Sequence, residues 1–307
     1  MTSVAASAAD VPRPKSWTVG AVTISRIIEG TTLFDIPALF PKATREDLDA
    51  LSWLKPHFIS ADGRGILSVH ALVVDTPTKR IIVDTCVGND KERGSWLHYA
   101  NLQTSFLTDL DNAGFPRESF DVVLCTHMHV DHVGWNTMLV DGEWVPTFPN
   151  ARYLLSKTEF EFWSDRSQHA DLGGFDEVQR LTFVDSLQPV LNAGLVDLVE
   201  EDHRVCDEVV LISTPGHSPG HVSVNISSCG EQAMITGDMA HHPCQLAHPD
   251  WGISNIDFNC DQAAETRRRI FSEVADNPVL VIGTHWAGET AGMVKRSGEA
   301  YRLECRR

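Results

Sequence analysis

The 307-residue chain carries 25 Lys and Arg against 42 Asp and Glu, a formal net charge of −17 with histidine neutral. With 42% hydrophobic and 22% charged residues it has the composition of a globular protein with a large core, which excludes disorder for the bulk of the chain. No run reaches the roughly 18–20 apolar residues of a spanning helix, and an acidic surface repels phosphate backbones and anionic membranes. A small-molecule partner is therefore expected, with no nucleic acid and no membrane. Cys86, Cys125, Cys206, Cys229, Cys244, Cys260 and Cys305 are scattered, without a C-x-x-C pair. That usage argues against a disulfide framework or a thiolate zinc site and predicts a reducing, cytoplasmic location. Residues 1–16 lack the apolar stretch of a secretory signal and read as a flexible N-terminal arm, with a single domain over 17–307.

In chain order, residues 19–28 alternate apolar and polar side chains and predict a half-buried strand. Residues 44–47 resemble a capping box opening a short helix. The β-branched runs 69–74 and 80–84, separated by a Thr-Pro-Thr turn, predict a hairpin. A helix is predicted over 102–113, ending at Gly114, then a short buried strand over 121–125. A strand over 152–155 leads into a helix capped by Ser156, with Glu159 three residues on. Residues 165–191 read as an inserted loop-plus-helix region. Strands follow at 195–199, 209–213, 222–226 and 233–236, then a helix at 262–276 and strands at 279–283 and 300–304. Strands alternating with helices, some joined as hairpins, predict an α/β fold of mixed sheets covered by helices.

The chemistry concentrates just after short apolar strands. Residues 126–132 read Thr-His-Met-His-Val-Asp-His, placing His127, His129, Asp131 and His132 within one short segment. Imidazole and carboxylate together suit zinc, iron, manganese or cobalt, and the lack of nearby thiolates disfavours a closed structural zinc site. Alternate residues of an extended loop point the same way, so His127 and His129 can share one ion while Asp131 and His132 face another. Three later positions also follow strands: His217 in Gly-His-Ser-Pro-Gly-His, Asp238 in Gly-Asp, and His285 in Gly-Thr-His-Trp. Five histidines and two aspartates suffice for two ions if one carboxylate bridges. His221 reads as loop support and His70 as a hydrogen-bonded core histidine. His57, His98, His169, His203 and His248 belong to no constellation. Trp251, Trp286, Phe40 and Trp53 read as core.

The order H-x-H-x-D-H, then G-H, then G-D, then a late T-H, over about residues 80–286, resembles the metallo-β-lactamase superfamily. Within it, the pattern is similar to the dinuclear hydrolase branch of lactonases, organophosphate hydrolases and hydrolytic dehalogenases. The resemblance implies an αββα sandwich, two mixed β-sheets flanked by helices, with the metals at one edge. It implies two divalent ions, zinc expected. His127, His129 and His217 would hold the first, Asp131, His132 and His285 the second, and Asp238 would bridge them. Asp84 matches an early aspartate that supports the ligand loops. His241 stands three residues after Asp238, where quorum-quenching lactonases carry a tyrosine that assists the substrate; this is a departure from the pattern. His241 or its neighbour His242 would donate a proton, contact an oxyanion or wall the pocket, and His241 joins Asp131 and Asp238 as a catalytic candidate.

Two ions sharing a water lower its pKa towards neutrality and make hydroxide available. The predicted activity is hydrolysis of a small neutral or hydrophobic molecule, lactone or ester first. Phosphotriester hydrolysis and hydrolytic dehalogenation of an activated aryl halide are the alternatives within that chemistry, and a non-catalytic metal-binding scaffold is the alternative outside it. Glutathione-thioester hydrolases, nucleic-acid-processing members and flavodiiron proteins carry extra domains for which this sequence shows no segment, and the zinc β-lactamases lack the bridging aspartate. A homodimer is the default expectation for a soluble enzyme.

Overall fold

The computed structural model describes residues 14–166, 174–253 and 256–305. The N-terminal half runs β1 (Ser16–Val19), β2 (Val22–Phe34), α1 (Ile36–Leu39), α2 (Arg45–Ala50), β3 (Gly65–Asp75), β4 (Arg80–Val83), α3 (Phe106–Asn112) and β5 (Val122–Leu124). A hairpin of β6 (Thr137–Val140) and β7 (Glu143–Pro146) follows, then β8 (Arg152–Ser156), α4 (Lys157–Arg166), α5 (Phe175–Thr182), α6 (Gln188–Asn192) and β9 (Val196–Val199). The C-terminal half runs β10 (Val209–Ser213), β11 (Val222–Ser228), β12 (Glu231–Ile235), α7 (Cys244–Ala247), α8 (Cys260–Val274), β13 (Val279–Ile282), β14 (Ala291–Ser297) and β15 (Ala300–Glu304). One sheet has the order β1-β2-β3-β4-β5-β8-β9 and the other β10-β11-β12-β13-β14-β15. Both are mixed: β4, β5, β8 and β9 are parallel neighbours, as are β12 and β13, and the other pairs are antiparallel.

The layering follows from the two-residue period of strands. In β3, Leu72 and Val74 face the other sheet, while Ala71 and Val73 face the helices. In β5, Val122 and Leu124 point inward and Val123 outward; in β13, Leu280 and Ile282 point inward and Val281 outward. Strands buried on both faces read as continuous apolar runs, as these do. The inter-sheet core joins Ile24, Val83 and Leu124 with Val224, Ile235 and Ile282. Phe106 of α3 and Trp163 of α4 cover the outside of the first sheet, and Ile270, Phe271 and Val274 of α8 cover the second. This is the predicted αββα sandwich. Phe40, Trp251 and Trp286 are buried in the second outer core, with Trp53 packed against it.

Several boundaries differ from expectation. The strand predicted over 19–28 is two strands, because the chain reverses at Gly20 (φ 57°) between β1 and β2. The helix predicted from 102 begins at Phe106, since residues 101–104 are tied to the loop before them, Thr104 N donating to Asn89 Oδ1 at 2.7 Å. The predicted arm lies outside the described residues up to residue 13, and Ser16 already belongs to β1. Residues 167–173 of the predicted insert also lie outside the described residues, His169 among them. The remainder is not a peripheral insert: α5, a π-helical stretch (Phe183–Leu187) and α6 pack on the first sheet through Phe183, Leu187 and Val190. The Thr44 cap is present, its hydroxyl accepting Asp47 N–H at 3.1 Å, and Asn259 caps α8.

Main-chain bonds fasten the segment after β5 to the turn after β4. Thr85 N donates to His132 O at 2.7 Å, Gly134 N to Cys86 O at 2.7 Å and Trp135 N to Thr85 O at 2.8 Å. The approach at Gly134 leaves no room for a side chain, because an added Cβ would lie 1.8 Å from Val87 O. Gly134→Ala is expected to destabilise the fold by about 2 kcal/mol or more, the scale of overpacking a rigid site. Urea unfolding checks it, and a midpoint within error of the parent's would contradict this packing.

Candidate metal centre

Parallel alignment of β4 with β5 and of β12 with β13 brings the C-terminal ends of those strands to one edge of the sandwich. Ligands in α/β proteins gather at such edges. The segment after β5 carries His127, His129, Asp131 and His132; the turn after β10 carries His217; Asp238 and His241 follow β12; His285 follows β13. Seven of these eight side chains are buried, and Asp131 is half-buried.

The convergence is tight. His127, His129 and His217 form one group of donor atoms, and Asp131, His132 and His285 another, each within 4.8 Å of one another. Asp238 Oδ2 lies between them, 3.1 Å from His132 Nε2, 3.2 Å from His285 Nε2, 3.6 Å from His217 Nε2 and 3.8 Å from His127 Nε2. His241 Nε2 is 3.0 Å from the same oxygen. His217 Nε2 faces His129 Nδ1 at 2.9 Å, and His132 Nε2 faces His285 Nε2 at 3.2 Å.

Outer hydrogen bonds decide which ring nitrogens carry lone pairs. His132 Nδ1 donates to Asp84 Oδ2 at 2.8 Å, His217 Nδ1 to Asp257 Oδ1 at 2.8 Å, and His285 Nδ1 to the Ser68 carbonyl at 3.1 Å. With Nδ1 bonded outward, the Nε2 atoms of His132, His217 and His285 face inward, and His127 Nε2 is buried with no hydrogen-bond partner. Ring nitrogens and carboxylate oxygens converging in a buried space are what a shared cation requires, so the donor set fits two divalent ions.

The protonation tendencies differ from ring to ring. Burial, reinforced by neighbouring imidazoles, holds His127 and His129 well below the usual histidine range. Burial also acts to lower His132 and His285, but the Asp238 carboxylate outweighs it, together with Asp84 at His132 and Asp131 at His285, and raises both. Burial acts to raise Asp238, yet His132, His285 and His241 hold it well below the usual carboxylate range. Protons and divalent cations thus compete for the same nitrogens.

The predicted metal residues all come together. Asp84 takes the supporting position: it lies at a left-handed turn (φ 57°) ending β4, accepts Thr126 N–H at 2.8 Å and holds His132. His221 accepts Asp238 N–H at Nε2 (2.8 Å) and so fixes the backbone of the central carboxylate. His70 is hydrogen-bonded within the core, to Ser68 Oγ and the Gly283 carbonyl. His242 points away into the second outer core, its Nε2 2.9 Å from the Phe58 carbonyl.

Four contributors gave no usable sequence signal. Asp257 orients His217, and Thr284 Oγ1 donates to Asp238 Oδ1 at 2.9 Å. Gln179 of α5 clamps the histidine segment, donating to Met128 O at 3.0 Å and accepting Val130 N–H at 3.1 Å. Glu159 of α4, read from sequence only as part of a helix cap, ties two ligand segments together. It accepts Met128 N–H at 3.2 Å, Gly220 N–H at 3.0 Å and Trp163 Nε1–H at 2.7 Å.

A cavity of about 410 Å³ opens onto the centre. Its walls are mainly apolar, with Phe34, Leu39, Leu67, Val69, Phe175 and Ile253, while Asp131, Asp238, His241 and His285 form the polar floor. Regions 36–59 and 165–191 supply Ala38, Leu39 and Phe175. A segment that was not anticipated supplies Trp96, His98 and Tyr99, so His98 is a cavity residue and not an isolated histidine.

Glu159→Ala is expected to cost about 2–4 kcal/mol, because it strands the buried N–H groups of Met128 and Gly220 at about 1–3 kcal/mol each. Chemical denaturation of the metal-free protein measures it; a loss below about 0.5 kcal/mol would contradict the clamp.

Residues 64–285 match the metallo-beta-lactamase superfamily. An N-acyl homoserine lactonase of Bacillus cereus is 25% identical over 173 residues, covering 53% of this chain and 59% of that protein. One from Bacillus thuringiensis is 27% identical over the same shares, so the chain spans little more than half the length of these relatives. Among solved structures, AidC, a dizinc quorum-quenching lactonase, superposes with a TM-score of 0.77 at 23% identity over 97% of this chain and 99% of its own. The hydrolase AbOPH superposes with a TM-score of 0.80 at 24% identity over the same shares. Match and geometry together place the chain in the metallo-beta-lactamase superfamily.

Proposed function

We propose that this chain is a dinuclear metal-dependent hydrolase that cleaves a small lactone or ester, with N-acyl homoserine lactones the leading substrate class. The observation that carries the reading is the position of Asp238 Oδ2, within 3.8 Å of imidazole nitrogens from both donor groups. In this reading His127, His129 and His217 would hold one ion, Asp131, His132 and His285 would hold the other, and Asp238 would serve both. Zinc suits the nitrogen-and-carboxylate donors and is named in the description of AidC.

Bound divalent ions supply Lewis acidity and lower the pKa of water towards neutrality. The chain's residues supply the rest. Asp238 and Asp131 carry the negative charge that offsets two dications. Burial, outweighing the pull of Asp238, holds His241 below the usual histidine range. Its Nε2–H, 3.0 Å from Asp238 Oδ2, is placed to donate to a substrate oxygen beside that carboxylate. The apolar walls exclude water and suit an acyl chain, and 410 Å³ lies in the usual range for small-molecule sites. Seven free cysteines suit a cytoplasmic setting.

The test is a panel on zinc-replete protein: N-hexanoyl homoserine lactone, phenyl acetate and a dialkyl aryl phosphate. Lactone hydrolysis is expected to be fastest, abolished by a chelator and restored by zinc. Losing an outer partner of a ligand costs 10–100-fold, so Asp238→Ala, correctly folded by circular dichroism, is expected to lose more than about 100-fold in activity. Asp257→Ala is expected to weaken metal binding by about 10–100-fold in a chelator competition. Two bound ions with no turnover of any substrate would instead support a metal-binding scaffold.

A further inference from the structure

Tyr99 is a cavity residue that the ligand geometry leaves without a role. The chain has 3 tyrosines. Tyr153 is committed to structure: its hydroxyl accepts Phe148 N–H at 3.0 Å and donates to Asn136 O at 3.1 Å. Tyr301 is buried against Phe271, ring centroids 5.9 Å apart. Tyr99 lines the main cavity, and its hydroxyl donates to Asp131 Oδ2 at 3.3 Å. That bond is long beside the usual 2.7–2.8 Å for O–H···O, so the hydroxyl is held loosely enough to serve a better-placed acceptor.

The ring itself is held firmly. It packs on His98 with centroids 4.3 Å apart and on Trp96 at 6.1 Å, and Trp96 packs on Phe175 at 5.4 Å. The start of the segment is anchored by two buried cations: Arg93 makes a bidentate pair with Asp185 at 2.6 and 3.1 Å, and Lys91 Nζ donates to Thr137 Oγ1 at 2.8 Å. A rigid ring with a weakly engaged hydroxyl beside reacting groups is the arrangement of a preorganised donor. Tyr99 stands over Asp131 while His241 stands over Asp238, so the two donors address the floor from two carboxylates.

We propose that Tyr99 is a catalytic hydrogen-bond donor, its hydroxyl turning from Asp131 to the substrate oxygen that gains negative charge. The step is donation without proton transfer, so no bond is made or broken at the phenol. The inference rests on the hydrolase reading above. The competing account is that Tyr99 only holds Asp131 in place.

Tyr99→Phe separates them. As a donor, Tyr99 leaves metal content and thermal unfolding at parent values when removed, while kcat on N-hexanoyl homoserine lactone falls about 10²–10³-fold, the effect of losing one such donor. A second readout needs no turnover. In zinc-loaded protein labelled with 3-fluorotyrosine, the ring-opened product N-hexanoyl-L-homoserine should move the fluorine resonance that Tyr99→Phe lacks and leave the other two in place. Unchanged kcat, an unmoved resonance, or a variant that loses its metal would each overturn the proposal. A parent protein inert on every substrate overturns the hydrolase reading itself, and this inference with it, in an assay made before any variant.

Discussion

A carboxylate buried among five imidazoles is the constraint around which this molecule is built. Removing Asp238 from water costs several kcal/mol unless counter-charge is supplied in place. Here the nearest groups are ring nitrogens at 3.0–3.8 Å, most turned inward by hydrogen bonds on the far side of the ring. Such a cluster is electrostatically incomplete by itself. It calls for protons or metal cations, and the neutral rings of His127 and His129 favour the cations.

Holding that cluster explains much of the surrounding fold. Paired parallel strands bring four turns to one edge, and side chains from outside the sheets then set their geometry. Asp84 binds the first turn to the histidine segment, Glu159 joins that segment to the His217 turn, and Gln179 grips its backbone from α5. These clamps are buried and satisfied, so they confer rigidity where ligand positions must be kept within fractions of an ångström. The cavity walls come largely from other segments, among them Phe34, Leu39, Trp96, Phe175, Ile253 and Ile256, which leaves the rim free to vary in shape over a fixed floor.

The metal cluster was legible because its chemistry is local: three histidines and an aspartate in one short segment, and later ligands each one or two residues after a glycine that follows an apolar run. The sandwich was legible for a related reason, since doubly buried strands announce themselves as apolar runs. Asp257, Gln179 and Glu159 were not, because a carboxylate or amide acting on groups 31–61 positions away leaves no pattern in its own neighbourhood. Tyr99 and His98 were missed likewise, since their segment is placed by a buried ion pair with Asp185, 92 positions from Arg93. The strand over 19–28 was misread because alternation continues through the turn at Gly20, where the left-handed backbone and not the side-chain pattern ends the strand.

The proposed hydrolase stands on Asp238 serving two cations at once. Elemental analysis of protein reconstituted with zinc and freed of excess tests it most directly, alongside Asp238→Asn prepared in the same way. The account predicts two ions per chain in the parent and fewer in the variant. One ion or none in the parent, or two retained tightly without the carboxylate, would contradict it.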